Sequence, residues 1–115
     1  MVLHGSFMRI YHNPRCSKSR QALALLQERG IEVEVVRYLE NGIHEEDLPV
    51  IACLQGVVRK KEAGAEALAS LLGPDEIVSF LRANPRTLER PILVNEGQAV
   101  IGRPPENILS MLEDD

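Results

Sequence analysis

"IYHNPRCSKSR", residues 10–20, decides how this chain is read. Ile10 and Tyr11 close a short strand pattern that opens at Met8, and Asn13-Pro14 marks a turn. Beyond the turn, Ser19, Ala22, Leu23 and Leu26 fall at i, i+3, i+4 and i+7, one face of a helix. Gly30 is its expected C-terminal stop. In "IEVEVVRYL", Ile31, Val33 and Val35 alternate with Glu32 and Glu34, which predicts a second strand. Strand, helix and strand within about thirty residues form a βαβ unit with parallel strands. Cys16 then stands where the helix begins.

Outward from this unit, "ENGIHEED" reads as a turn with acidic residues suited to a helix start. Pro49 tolerates only a first-turn position, so the next helix is expected from near Asp47. "LPVIACLQGVVRKKEAGAEALASLLG" reads as two short helices with breaks near Gly56 and Gly64. "PDEIVSFLRANP" is a further helix, with Pro74 in its first turn and Ile77, Phe80 and Leu81 on its buried face. "RPILVNEGQAVIG" predicts a β-hairpin in which Gly97 supplies positive φ. "PPENILSML" predicts a closing helix. The order is βαβ, a helical insert, then ββα. It predicts one α/β domain over residues 1–115 with a four-stranded mixed sheet, the thioredoxin-like arrangement. Residues 1–7 are expected to be a disordered N-terminal extension, with Met8 a candidate second start.

Composition narrows the function classes. With 115 residues, 44% of them apolar, one aliphatic core is affordable. Two Phe, two Tyr and no Trp make a stacking platform for single-stranded nucleic acid a poor fit. A formal net charge of −4 argues against a general nucleic-acid footprint. No apolar run approaches the ~18 residues of a membrane span, and the start lacks the pattern of a secretory signal. Two distant cysteines, Cys16 and Cys53, make no disulfide framework, so a reducing cytoplasm is the expected location. His4, His12 and His44 make no metal-ligand spacing.

A helix start offers free N–H donors and about half a positive charge. Placed there, among Arg15, Lys18, Arg20 and His12, Cys16 is expected to be an exposed nucleophile with a lowered pKa. The alternative is a small residue filling the helix start. A C-x-x-C motif would need cysteine where Ser19 stands, and a cysteine-phosphatase loop would need arginine where Ala22 stands. The site is thus C-x-x-S, and a resolving thiol must come from elsewhere. Cys53, within "VIACL", is expected to be a buried structural thiol.

"YHNPRCSKSR" resembles the H-N-P-x-C-x-x-S-R stretch of the glutaredoxin-coupled, ArsC-type arsenate reductase family. "ERPILV" and "IGRPPENIL" resemble two later motifs of that family, in the same order, and the likeness runs from about Met8 to Leu112. It is nearest to a subgroup of short arsenate-reductase-like proteins. The resemblance implies a thioredoxin-like fold, a catalytic Cys16, and three oxyanion-holding arginines matching Arg59, Arg90 and Arg103. Guanidinium groups suit that role because they are planar, bidentate and always charged. The span before Arg59 is several residues shorter than usual, so Lys60 and Lys61 remain alternative candidates. His12 matches the family's histidine; Ser19 is expected either to donate to the thiolate or to cap the helix. The peptide bond between Arg90 and Pro91 is implied to be cis.

The family also implies no metal, no bound organic cofactor, glutathione as co-substrate and glutaredoxin as partner. The expected activity is reduction of arsenate to arsenite through a covalent adduct on Cys16. Two rivals stay open. One is a thiol oxidoreductase of the same fold acting on another substrate, such as a glutathione mixed disulfide. The other is an Spx-like redox regulator that binds RNA polymerase, although such relatives usually carry C-x-x-C and lack the late arginine that Arg103 represents here.

Overall fold

The computed structural model describes residues 8–112; the expected N-terminal extension, residues 1–7, lies outside the described residues. Strand β1 (Met8–Tyr11) runs into the Asn13-Pro14 turn and then helix α1 (Ser17–Glu28). Strand β2 (Glu34–Val36) pairs parallel with β1, with Tyr11 opposite Val36. The helical insert follows as α2 (Tyr38–Asn41), α3 (Leu48–Ile51), α4 (Lys60–Ala63), α5 (Ala65–Ala69) and α6 (Pro74–Ala83). A 3₁₀ turn (Pro85–Thr87) leads to β3 (Ile92–Asn95) and β4 (Gln98–Ile101), and a 3₁₀ helix (Pro105–Leu112) closes the described chain. The sheet order is β2-β1-β3-β4, with β3 antiparallel to both β1 and β4. Positive φ at Glu96 and Gly97 (50° and 82°) closes the hairpin.

Alternation along the central strands builds two cores. Ile10 and Leu93 point to one face, where Ala22 and Leu26 of α1 and Ile108 cover them. Tyr11, Ile92 and Val94 point to the other, against Tyr38, Leu48, Ile51, Val57, Leu81 and Leu88 from the insert and its exit. Each face is thus sealed by its own helical layer, and the C-terminal end of β1 emerges between them.

Three elements differ from the sequence reading. The second strand is only three residues long, because its partner β1 ends at Tyr11 and the last pairing bond is His12 N–H to Val36 O at 2.9 Å. The chain then coils into α2, which buries Tyr38 completely and leaves Leu39 exposed. The segment from Leu48 forms three short helices, with Gly64 at φ 89° separating α4 from α5. Cys53 is exposed and not buried. Helix α3 is a single turn that spends Leu48 and Ile51 on the core; Cys53 follows on the solvent side, its Sγ–H donating to Pro49 O at 3.4 Å.

Candidate active site

The loop between β1 and α1 is fastened by its own side chains. Asn13 Oδ1 accepts from the Arg15 N–H at 3.0 Å, an Asx turn that tightens the bend at Pro14. The Cys16 N–H donates to Asn13 O at 3.0 Å, and Cys16 O accepts from the Arg20 N–H, the first helical bond. Cys16 is therefore the N-cap residue of α1, in extended conformation (φ −96°, ψ 123°). Its partly buried sulfur lies over the unfilled amides of the helix start.

Two guanidiniums approach this sulfur from the other end of the chain. Arg103 Nη1 lies 3.8 Å from Cys16 Sγ and donates to Arg90 O at 3.0 Å. Burial pushes the thiol pKa up, but the Ser19 N–H, the Arg90 and Arg103 side chains and the Lys18 N–H outweigh it, so the thiol ends below its ordinary value. Arg90 follows Glu89 into a cis peptide at Pro91, as the resemblance implies, and a second cis peptide joins Arg103 to Pro104. Gly102 holds the two loops together: its N–H donates to Pro91 O at 2.8 Å, and a Cβ there would sit 2.8 Å from Pro91 Cγ. The Nε of Arg90 is buried without a partner, as is the Tyr38 hydroxyl, whose pKa burial raises against the opposing charge of Arg90.

Arg59 arrives by a separate route. Val58 and Leu88 form an isolated antiparallel bridge, with Arg59 N–H donating to Thr87 O at 2.8 Å and Glu89 N–H to Val57 O at 2.7 Å. This short ladder sets Arg59 beside Glu89 and Arg90. Arg59 Nη1 donates to Glu89 Oε1 at 2.7 Å and Arg59 Nε to Glu62 Oε1 at 3.0 Å. Lys60 and Lys61 are exposed on α4. Lys60 and Lys61 line the same cleft as Arg59, Glu62 and Glu89, but it is Arg59 whose guanidinium bonds both carboxylates.

His12 and Ser19 form a buried pair, with His12 Nδ1 2.6 Å from Ser19 Oγ. Ser19 Oγ also accepts the Asn13 N–H at 3.0 Å, so this hydroxyl clamps the strand end to the helix, while it is the backbone N–H of Ser19 that serves the thiol. Burial first, then the charges of Arg37 and Arg20, lower the His12 pKa below the usual 6.5, which keeps the imidazole neutral. Arg15 and Arg20 are exposed and Lys18 half-buried; Arg20 Nη1 donates to Pro14 O at 2.9 Å.

The sequence reading missed Glu62 and Glu89, the carboxylates between the three arginines. Glu62 stands three residues after Arg59 and Glu89 immediately before Arg90, spacings that by themselves look like ordinary surface pairs. Among the described residues no three His, Cys, Asp or Glu side chains gather to hold a metal ion, and no helix is long and apolar enough to cross a membrane.

A thiol of lowered pKa set beside guanidiniums, on a thioredoxin-like sheet, is an arrangement suited to a small anionic ligand. The ArsC family model matches residues 11–111, and the chain belongs to that family. A Neisseria meningitidis (strain MC58) protein named "Arsenate reductase" is 41% identical, over 91% of this chain and 97% of its own. The Escherichia coli (strain K12) "Uncharacterized protein YfgD" is also 41% identical, over 91% of this chain and 96% of its own. The solved structure "Arsenate reductase from Vibrio cholerae" superposes with a TM-score of 0.76 at 38% identity, covering 93% of this chain and 98% of its own.

Proposed function

We propose that this protein reduces arsenate to arsenite through a covalent adduct on Cys16, resolved by glutathione and glutaredoxin. The observation that carries the reading is the contact of Arg103 with the Cys16 sulfur in a cluster that also contains Arg90 and Arg59. The same groups that lower the thiol pKa are the natural donors to a tetrahedral oxyanion. In this reading the arginines hold three arsenate oxygens and the thiolate attacks arsenic, displacing one oxygen as water. Glutathione sulfur displaces a second oxygen. Attack of a glutaredoxin thiolate on the glutathione sulfur then forms a mixed disulfide. The electron pair of the broken S–As bond stays on arsenic, which falls from As(V) to As(III). Water releases arsenite and restores the Cys16 thiolate. A reducing cytoplasm suits every one of these thiols.

The neutral His12, bonded to Ser19, is assigned to shaping the loop. Nothing in this scheme requires a metal or a bound organic cofactor. Arsenate-dependent NADPH oxidation, with glutathione, glutaredoxin and glutathione reductase supplied, tests it. Turnover is expected, lost in Cys16→Ser and largely kept in Cys53→Ala. No arsenate turnover by folded protein, together with Cys16-dependent reduction of a glutathione mixed disulfide, would replace it with the disulfide reading.

A further inference from the structure

The arginine cradle is threaded by two carboxylates. Glu89 Oε1 accepts from Arg59 Nη1 at 2.7 Å and from the Arg90 N–H at 3.1 Å, and lies 3.9 Å from Arg103 Nη1. Glu62 accepts from Arg59 Nε at 3.0 Å through Oε1 and lies 3.9 Å from Arg90 Nη1 through Oε2. Both are only partly exposed, 29% for Glu62 and 21% for Glu89, so water screens them incompletely. An anion held by the arginines would feel both carboxylates across a single guanidinium. The arrangement is more than a pair of surface ion pairs, because two acids between them reach all three arginines.

We infer, on the reading of this cluster as an oxyanion site, that Glu62 and Glu89 select ligand charge. They offset two of the three guanidinium charges and leave the thiolate to meet the third. A cradle so balanced accepts a singly charged tetrahedral oxyacid and disfavours a doubly charged one. The rule acts on charge and not on the central atom: arsenate would enter as its monoanion, and the arsenate and phosphate dianions alike are disfavoured. The carboxylates also hold Arg59 in place, but a charge effect and a positioning effect separate by substitution. Glutamine keeps the acceptor oxygen and the length of the side chain while removing the charge; alanine removes both.

The test reads anion occupancy at the thiol and not turnover. In a Cys53→Ala background, which removes the second exposed thiol, Cys16 is alkylated in increasing inorganic phosphate, at a pH above the second ionisation of phosphate. The half-protecting concentration is compared with that of Glu89→Gln and Glu62→Gln. A carboxylate ~6 Å from a doubly charged anion, at screening between bulk water and a protein surface, is worth about tenfold to a hundredfold in affinity. Each glutamine variant should therefore be protected at about tenfold to a hundredfold less phosphate, and Glu89→Ala less well than Glu89→Gln. Circular dichroism establishes that each variant is folded, and Glu62→Gln carries the test alone if Glu89→Gln is not. Unchanged or weaker protection in the folded glutamine variants overturns charge selection while leaving the oxyanion site standing. No protection by phosphate in any of the proteins, at any concentration, overturns the oxyanion reading itself.

Discussion

Removing Arg103 isolates the part of thiol activation that comes from one guanidinium. Its Nη1 stands 3.8 Å from Cys16 Sγ, and its side chain is one-third exposed, which favours water-like screening. Two unit charges at that separation in water interact by about 1.1 kcal/mol, about sixfold in the ratio of thiolate to thiol. A thiol that is harder to ionise is also a stronger nucleophile once ionised, which returns about half of that factor on a logarithmic scale. Arg103→Ala should then react with a small aromatic disulfide about two- to threefold more slowly well below the thiol's titration. Well above it the variant should react about two- to threefold faster. The rate is followed by absorbance of the released thiol from about pH 5 to about pH 10, in a Cys53→Ala background. Arg103→Lys, which keeps the charge, should fall between. Curves that superpose, or a variant that is slower at both extremes, would refute the electrostatic account of the Arg103 contact.

Other consequences follow from single contacts. Arg59→Ala should weaken oxyanion use by ~1.5–3 kcal/mol, the range for charged hydrogen bonds, while Lys60→Ala and Lys61→Ala stay within about twofold; Michaelis constants for arsenate decide it. Gly102→Ala should lower stability by ~1–3 kcal/mol in urea unfolding, because the new methyl group meets Pro91 Cγ at 2.8 Å and Ile108 Cγ2 at 3.1 Å. His12 has a folded-state pKa below 6.5, so the unfolded chain binds its proton first, and the resulting stability is present above that value and lost as pH falls below it. The urea midpoint should therefore drop on acidification below pH 6.5, and His12→Gln should flatten this part of the profile.

The thiol half of the site was legible in the sequence because its logic is local. A strand, an Asn-Pro turn and an amphipathic helix leave one place for Cys16, and the N-cap is that place. The hairpin was legible for the same reason, since Asn95–Gln98 states its own turn. The arginine half was visible only as motifs. Arg59 joins Arg90 through a bridge between residues thirty apart, and Arg103 through its own bond to Arg90 O; no window of sequence contains Val58 and Leu88, or Arg90 and Arg103, together. Glu62 and Glu89 were invisible as members of the site for the same reason. Val35 misled the strand reading: it keeps the alternation of Ile31 and Val33, yet it lies 41% exposed on the edge strand while Val36 is the residue that enters the core. Cys53 misled by composition, its apolar neighbours being the ones a single helical turn could bury.

The Val58–Leu88 bridge also gives the site a seam. Arg59 depends on two backbone bonds, Arg59 N–H to Thr87 O and Glu89 N–H to Val57 O, that belong to neither the sheet nor any helix. Val57, Val58 and Leu88 beside these bonds are buried, so the seam opens only by unpacking that corner of the core, a local opening short of global unfolding. In the opened form Cys16 would keep its place at the start of α1, and Arg103 its hold on Arg90 O, while Arg59 swung clear. The amide protons of Arg59 and Glu89 should then exchange with solvent well before those of β1 and β3, and together. Their common rate would count how often the protein is a bare thiol and how often a closed arginine cluster.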